Sequence, residues 1–441
     1  MKKNNKVCVI GLGYVGLTLS LHLAKKGITV IGFDSNSSII DNLSKCKTHI
    51  FEKNIETYLK ASVNKKKFIL SNKIPDYCDV YIVTVGTPLK YDKKLKKFIS
   101  NLDDIKDISL KLSRIIKQDA LIIFRSTLPI GTCRNIIIKI FSENKLKVEK
   151  DFFLSFAPER TIEGNAIKEL QNLPQIVSGY GKKSLKKSTI FFKNISDHVV
   201  QVKSLEAAEM VKLLNNSFRD LSFAFSNQIA MICNQYGLNT NEIITSANYG
   251  YPRNQIPLAS PGVGGPCLTK DPYILDESVI DRGEKSKSIF TISRDINNKI
   301  VKNLILNIRN LLGNRKKRVL LCGISFKGFP ETKDYRGSVT LKFYELLRKN
   351  QNYQIYLHDP LFTHKEIKRL LNTKSGNIKE VSNYYDCIVL INNNNFYKKI
   401  TFNQYTKALR KNGLIFDYWS LLRKNKSKFS KVSKKIRYFQ L

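Results

Sequence analysis

Cys267 closes a glycine-rich stretch, SPGVGGPCLTKD (residues 260–271), with Lys270 and Asp271 three and four residues beyond the thiol. Gly262, Gly264 and Gly265 suit neither helix nor strand. They allow positive φ and close backbone approach to another group, while Pro261, Pro266 and Pro272 fix the path on each side. A thiol held on a shaped loop beside a cation and an acid has the makings of a nucleophile. Cationic neighbours favour the thiolate, and covalent capture divides one difficult step into two easier ones. The same stretch also reads as a surface turn with an incidental cysteine, so the remainder of the chain has to decide.

A second constellation lies near the N-terminus. Gly11, Gly13 and Gly16 form G-x-G-x-x-G around Tyr14 and Val15, straight after the apolar run VCVI. In such a motif the first glycine permits the tight turn. The second lets the backbone approach a pyrophosphate, and the third lets helix pack on strand. The pyrophosphate then sits at the positive helix end. Asp34 closes the next strand, placed to accept from a ribose 2′-hydroxyl and to repel the extra phosphate of NADP, so NAD is the expected cofactor.

These groups need elements to carry them. Residues 7–34 read strand, turn, helix (Leu17 to Lys26, closed by Gly27), strand. Further apolar strand-like runs follow at 79–88, 120–131, 152–160 and 174–181, alternating with helical stretches. That alternation predicts a doubly wound parallel sheet. Residues 204–236 hold no proline or glycine, and Leu205, Ala208, Val211, Leu214, Phe218, Leu221, Phe225, Ile229 and Ile232 recur at helical spacing. They predict a long helix with a wide apolar face, a domain link or an oligomer interface. Residues 287–312 predict another. After GNRKKR the pattern resets, with strands expected at 318–328, 353–360, 386–394 and 413–419 but no second G-x-G-x-x-G. The expected architecture is α/β: two Rossmann-like doubly wound parallel-sheet domains (1–200 and 313–425) joined by a central helical domain (201–312). A basic tail (426–441) would follow, frayed from Leu422 onward.

Composition narrows the function classes. At 441 residues and 42% hydrophobic, two or three folded domains are expected. No run reaches the ~20 apolar residues of a membrane span, and the apolar N-terminal run leads into a glycine motif rather than a cleavage site. The eight cysteines are scattered singly, so neither a disulfide framework nor a metal site is expected, and the cytoplasm is the expected compartment. The net charge of +39 comes from 75 basic residues spread along the whole chain. It reads as solvated surface with capacity for anionic ligands, without the motifs of a specific nucleic-acid binder.

In order along the chain stand GLGYVG, VGTP, STLPIG, APERTIEG, EMVKLLNNSF, GVGGPCLTKDPY and GISFKGFPETKDYRGS. On these motifs the chain resembles the nucleotide-sugar dehydrogenases of the UDP-glucose/GDP-mannose dehydrogenase family over roughly residues 6 to 420. APER followed by EG is similar to the branch acting on UDP-N-acetylhexosamines, such as UDP-N-acetylmannosamine. The UDP-glucose branch typically has phenylalanine where this chain has Arg160. UDP-N-acetylglucosamine and UDP-glucose stay open as substrates. A single-oxidation dehydrogenase of the 6-phosphogluconate type is a distant rival that needs no nucleophilic cysteine.

The resemblance implies oxidation of a sugar C6 alcohol to a carboxylate, with one NAD for each of two steps and Cys267 as nucleophile. Lys212, which shares a helix face with Asn216, would stabilise oxyanion charge, and Asn216 would bind substrate. Thr127 and Asp271 would position a water. Glu159 would serve acid–base chemistry in thioester hydrolysis, with the general base open between Glu159 and Asp271. Thr87, Glu163, Lys270 and Arg336 would join the glycine motif and Asp34 around NAD. Arg160, Gly264, Phe326 and Lys327 would bind the UDP-sugar, as would Arg253 from a neighbouring subunit, which implies a homodimer. The chain departs from the common pattern at Pro266, where many N-acetylhexosamine relatives carry histidine. It departs again at Gly337, where an acidic or amide residue is usual.

Overall fold

A computed structural model of the chain describes residues 6–279, 287–431 and 434–441. These fall into two compact units, residues 6–216 with 273–279 and residues 217–272 with 287–441.

In the first unit, β1 (Lys6–Ile10), β2 (Thr29–Phe33), β3 (Phe68–Ser71) and β4 (Val80–Val83) share one parallel sheet with β7 (Ala120–Phe124) and β8 (Phe152–Phe156). The order is β3-β2-β1-β4-β7-β8. The strands VCVI, VYIV, ALIIF and FFLSF are buried throughout, because helices cover both faces of such a sheet. Alternate residues feed two cores: Val7, Val9 and Ile82 pack into one, Cys8, Ile10 and Val83 into the other. The first helix begins at Tyr14 rather than Leu17 and runs to Lys25, since Gly13 already serves as its N-cap. An antiparallel hairpin, β5 (Leu89–Asp92) with β6 (Lys97–Ser100), follows β4. The strand expected within 174–181 is β9 (Gln175–Val177). It pairs with β10 (Val199–Gln201) in a separate two-stranded sheet, while Ser178 and Tyr180 donate backbone bonds to Phe156 and Leu154.

The second unit repeats the plan. Strands β11 (Lys317–Cys322), β12 (Tyr353–His358), β13 (Lys374–Ser375), β14 (Tyr385–Leu390), β15 (Leu409–Asp417) and β16 (Arg437–Phe439) run parallel in the order β13-β12-β11-β14-β15-β16. The segment beyond Leu422, expected to fray, is folded in its described residues. A helix at Lys426–Lys431 precedes β16, which pairs with β15 through Ile415↔Tyr438 and Phe416↔Phe439. Leu422, Phe429 and Ile436 are buried, and Phe429 stacks on Tyr438 with centroids 5.2 Å apart. The lysines between these residues dilute an apolar pattern that still closes the sheet edge.

The long helix spans Leu205–Gln235, and the division between the units falls inside it. Its apolar stripe does not behave as one core face. Leu205 and Ala208 are buried, but Leu214 (51%), Phe218 (65%), Phe225 (52%) and Ile232 (41%) are exposed. Past Asn216 its buried positions are instead small or polar: Ser217, Asp220, Ala224, Ser226, Asn227, Ala230 and Cys233. Among the described residues, no helix is long and apolar enough to cross a membrane.

Candidate active site

In the first unit the singled-out residues gather at the carboxyl ends of β1, β2, β4, β7 and β8, where open α/β sheets place their ligands. Gly11 (φ 91°) turns the chain out of β1. A Cβ on Gly16 would lie 1.8 Å from Gly11 O, so helix packing alone requires that glycine. Gly13 is different. A Cβ there would meet no atom within 4 Å, and its φ of −63° suits any residue. No protein atom demands its smallness, and the open backbone fits the approach of a pyrophosphate. Asp34 is half-buried. Its Oδ2 accepts from Leu12 N (2.7 Å) and its Oδ1 from Asn36 N (2.9 Å). The Tyr14 hydroxyl bonds Glu52 and accepts from Gly164 N (2.7 Å). Burial and the Glu52 carboxylate raise its pKa. The glycine motif is thereby bolted to the loop bearing Glu163, while Val15 stays half-exposed. Thr87 Oγ1 donates to Thr127 O (2.7 Å), tying the loops after β4 and β7 together.

Glu159 is almost fully buried. Arg125 Nη2 sits 2.6 Å from its Oε2, and its Oε1 accepts from Arg160 N (2.7 Å) and Thr161 N (2.8 Å). Burial works to raise its pKa, but the Arg125 charge and hydrogen bond, the Thr161 N–H and the Lys212 charge overcome this and hold it below the ordinary value. Glu159 is therefore a carboxylate saturated by donors, better suited to charge stabilisation than to taking a proton. Arg160 Nη2 donates to Pro174 O (2.5 Å). On the long helix, Asn216 is buried one turn beyond half-buried Lys212.

Two groups escaped the sequence reading. Arg125 follows five buried strand residues directly, and a charge in that position must find a partner; that was the available signal. Glu209, fully buried, accepts from Gly131 N (2.6 Å) and Cys133 N (2.9 Å) in the STLPIG turn. Burial pushes its carboxyl up to about 7.

In the second unit the cysteine loop is packed without slack. A Cβ on Gly262 would lie 2.6 Å from Val301 Cγ2, one on Gly264 2.6 Å from Gly337 O, and one on Gly265 2.6 Å from the Phe326 ring. The loop that carries Cys267 thus rests on the segment containing Phe326, Lys327, Arg336 and Gly337. Cys267 itself is exposed; Cys46 is half-buried and the other six cysteines are buried. Its carbonyl accepts from Lys270 N (3.0 Å) and Asp271 N (2.8 Å). Asp271 is fully buried, with Lys270 Nζ 3.9 Å from its Oδ1. Arg336 pairs with Asp334 at 2.5 Å, Lys327 Nζ lies 5.5 Å from the Phe326 ring, and exposed Arg253 lies over Tyr251.

An open glycine turn ending in an acid, with a tightly seated exposed thiol on a second doubly wound unit, defines a class: a dinucleotide-dependent dehydrogenase that carries a cysteine. Models of the UDP-glucose/GDP-mannose dehydrogenase family match residues 5–195 (NAD binding domain), 206–299 (central domain) and 320–424 (UDP binding domain). The chain belongs to this family and is an NAD-dependent oxidoreductase of the nucleotide-sugar dehydrogenase type. It is 28% identical to a UDP-N-acetyl-D-mannosamine dehydrogenase of Pyrococcus horikoshii, over 92% of this chain and 93% of that one. Identity is 31% to another of that name from Campylobacter jejuni, over 82% and 88%. The solved structure of a UDP-D-ManNAc dehydrogenase from Pyrococcus horikoshii superposes with a TM-score of 0.81 at 27% identity, covering 93% of this chain and 94% of that chain.

Proposed function

We propose that this chain oxidises the C6 alcohol of a UDP-N-acetylhexosamine, UDP-N-acetylmannosamine first, to the uronic acid. The product would serve surface polysaccharide synthesis in the cytoplasm. The observation that carries the reading is Cys267: the exposed thiol stands on a loop whose glycines have no room for any other side chain.

NAD, when bound, would accept one hydride in each of two successive steps, a second NAD replacing the first. The residues that would hold it, on this reading, are Gly11, Gly13, Tyr14, Val15, Gly16, Asp34, Thr87, Thr127, Glu163, Lys270 and Arg336. Loss of a first hydride from C6, with the hydroxyl proton passing to a base, leaves an aldehyde. Cys267 Sγ then bonds to that carbon, giving a thiohemiacetal whose oxyanion Lys212 stabilises. Loss of the second hydride leaves a thioester. Water held by Thr127 and Asp271 adds to it, and the C–S bond breaks to give carboxylate and free thiol. Donor-saturated Glu159 suits steadying charge during this hydrolysis, and Asp271 would assist proton transfer. Arg160, Asn216, Gly264, Phe326 and Lys327 hold the UDP-sugar. The sheet of 313–425 takes the UDP and that of 1–200 takes NAD.

Exposed Leu214, Phe218, Phe225 and Ile232 favour a homodimer, because apolar side chains repeated along a helix call for a cover; Arg253 would enter the neighbouring subunit's sugar site. The test is NADH formation with NAD and a panel of UDP-sugars. Turnover with UDP-N-acetylmannosamine at two NADH per sugar is expected. A preference for UDP-glucose or UDP-N-acetylglucosamine would overturn the choice of sugar.

A further inference from the structure

The loop before Cys267 is held by a chain of buried amides that ends on a carboxylate. Ser260 N donates to Asn227 Oδ1 (2.8 Å). Asn227 Nδ2 donates to Asn297 Oδ1 (2.8 Å). Asn297 Nδ2 donates to Asp220 Oδ1 (2.9 Å) and to Asp220 O (3.0 Å). Arg294 Nη1 lies 2.5 Å from the same Oδ1, and its Nη2 reaches Val263 O at 3.4 Å. Asp220, Asn227, Arg294 and Asn297 are each 0–1% exposed.

The direction of this chain follows from chemistry. Asp220 Oδ1 and its backbone oxygen only accept here, so Asn297 must turn its NH₂ toward them and its oxygen toward Asn227. Asn227 must then present NH₂ to Asn297 and oxygen to the Ser260 N–H. Ser260 Oγ in turn donates to Gly262 O (3.1 Å). Burial gives these groups no water to fall back on, and a satisfied buried network specifies one conformation. A glycine-rich segment needs such specification most, since it has the most backbone freedom to lose.

We propose that Asp220, Asn227, Arg294 and Asn297 are positioning residues for Cys267, holding the entry to its loop so that the thiol stands where C6 of the sugar arrives. This rests on the nucleophile reading above. It separates the residues that touch substrate from a set on the second half of the long helix and on the helix Ile289–Leu312 that act only through the loop.

The test measures two steps in the full-length protein: the first hydride transfer, as a single-turnover NADH burst, and steady-state kcat. Asn227→Leu keeps the volume and breaks the chain; Asp220→Asn keeps the shape and removes the carboxylate that orients it. Both should lower kcat about 10- to 100-fold, as ~1 Å misplacements do. The first burst, the sugar KM and NAD affinity should stay within about threefold. In a Cys267→Ala background, Asn227→Leu should cost less than about twofold, because the two substitutions remove one function. Ile388→Ala, in the core of the second unit's sheet, serves as a control for lost stability and should leave the ratio of the two steps unmoved. Equal losses in both steps, or the same loss with and without Cys267, would overturn the proposal alone. If Cys267→Ala kept normal turnover, the nucleophile reading would fall first and the proposal with it.

Discussion

The two sheets run in the same order and open with the same turn, yet they treat their acids differently. After β1, Gly11 N donates to Phe33 O (2.8 Å) and Leu12 N to Asp34 (2.7 Å). After β11, Gly323 N donates to His358 O (2.7 Å) and Ser325 N to Asp359 (2.9 Å). Both first glycines have positive φ, 91° and 102°. In the first sheet the helix begins three residues later and Asp34 keeps a solvent face. In the second, residues 323–338 intervene before the helix Val339–Leu347. Asp359 is 3% exposed, and burial raises its pKa. The equivalent acid keeps a solvent face in the first sheet, where we propose that it meets the cofactor ribose, and is buried as a structural group in the second. Exposure decides which, and motif position does not.

The comparison can be broken first at the glycines. Gly16→Ala places a Cβ on the Gly11 carbonyl and should cost several kcal/mol, enough to unfold the first unit; thermal melting and loss of NAD binding would report it. Gly13→Ala should fold normally, since it meets no protein atom, yet weaken NAD by about 100-fold, roughly 3 kcal/mol. Calorimetric titration checks it, and normal NAD affinity would show that the open backbone is not a ligand site.

A smaller effect concerns pH. Glu209 pins the first sheet's STLPIG turn with a carboxyl pushed up to about 7. An acid whose folded pKa lies above its unfolded value lends stability in full below about 4.5, and that contribution is lost as pH rises through about 7. Wild-type stability should therefore fall between pH 5 and 8 by at most about 3 kcal/mol on this account. Glu209→Gln should flatten that slope, and denaturant melts across the range would show it.

The smallest pair contrasts the two acids directly. Asp34→Ala should narrow the NAD-over-NADP preference, by about 10-fold or 1.4 kcal/mol. Asp359→Asn should leave the preference alone and cost about 1–3 kcal/mol of stability, from a buried carboxylate that accepts two backbone N–H groups. Kinetics with both cofactors separate the two outcomes.

Strands were legible wherever apolar residues ran unbroken, as in ALIIF and FFLSF, because a doubly covered parallel strand leaves no polar position to confuse the pattern. The final strand was not: Arg437, Tyr438 and Phe439 follow a lysine-rich segment, and three residues carry too little periodicity to stand out. The long helix was legible in extent but not in orientation. Periodicity marks an apolar face without saying what covers it, and Asp220 and Asn227 are buried only because Arg294 and Asn297, some 70 residues on, complete their hydrogen bonds. For the same reason the nucleophile expectation for Cys267 needed the ordered motifs of the whole chain, and the partners that pin its loop left no mark in the sequence around it.

The central claim is that Cys267 captures the aldehyde. Its most direct measurement is the NADH yield per sugar consumed, in wild type and in Cys267→Ala. Wild type should give two. The alanine variant should bind NAD and UDP-sugar normally, yield at most one bound equivalent in a single turnover and release no uronic acid, with steady-state turnover down by about 10⁴-fold or more. A variant that kept a yield of two, within about tenfold of the wild-type rate, would contradict the account and make the glycine-rich loop a turn with an incidental thiol.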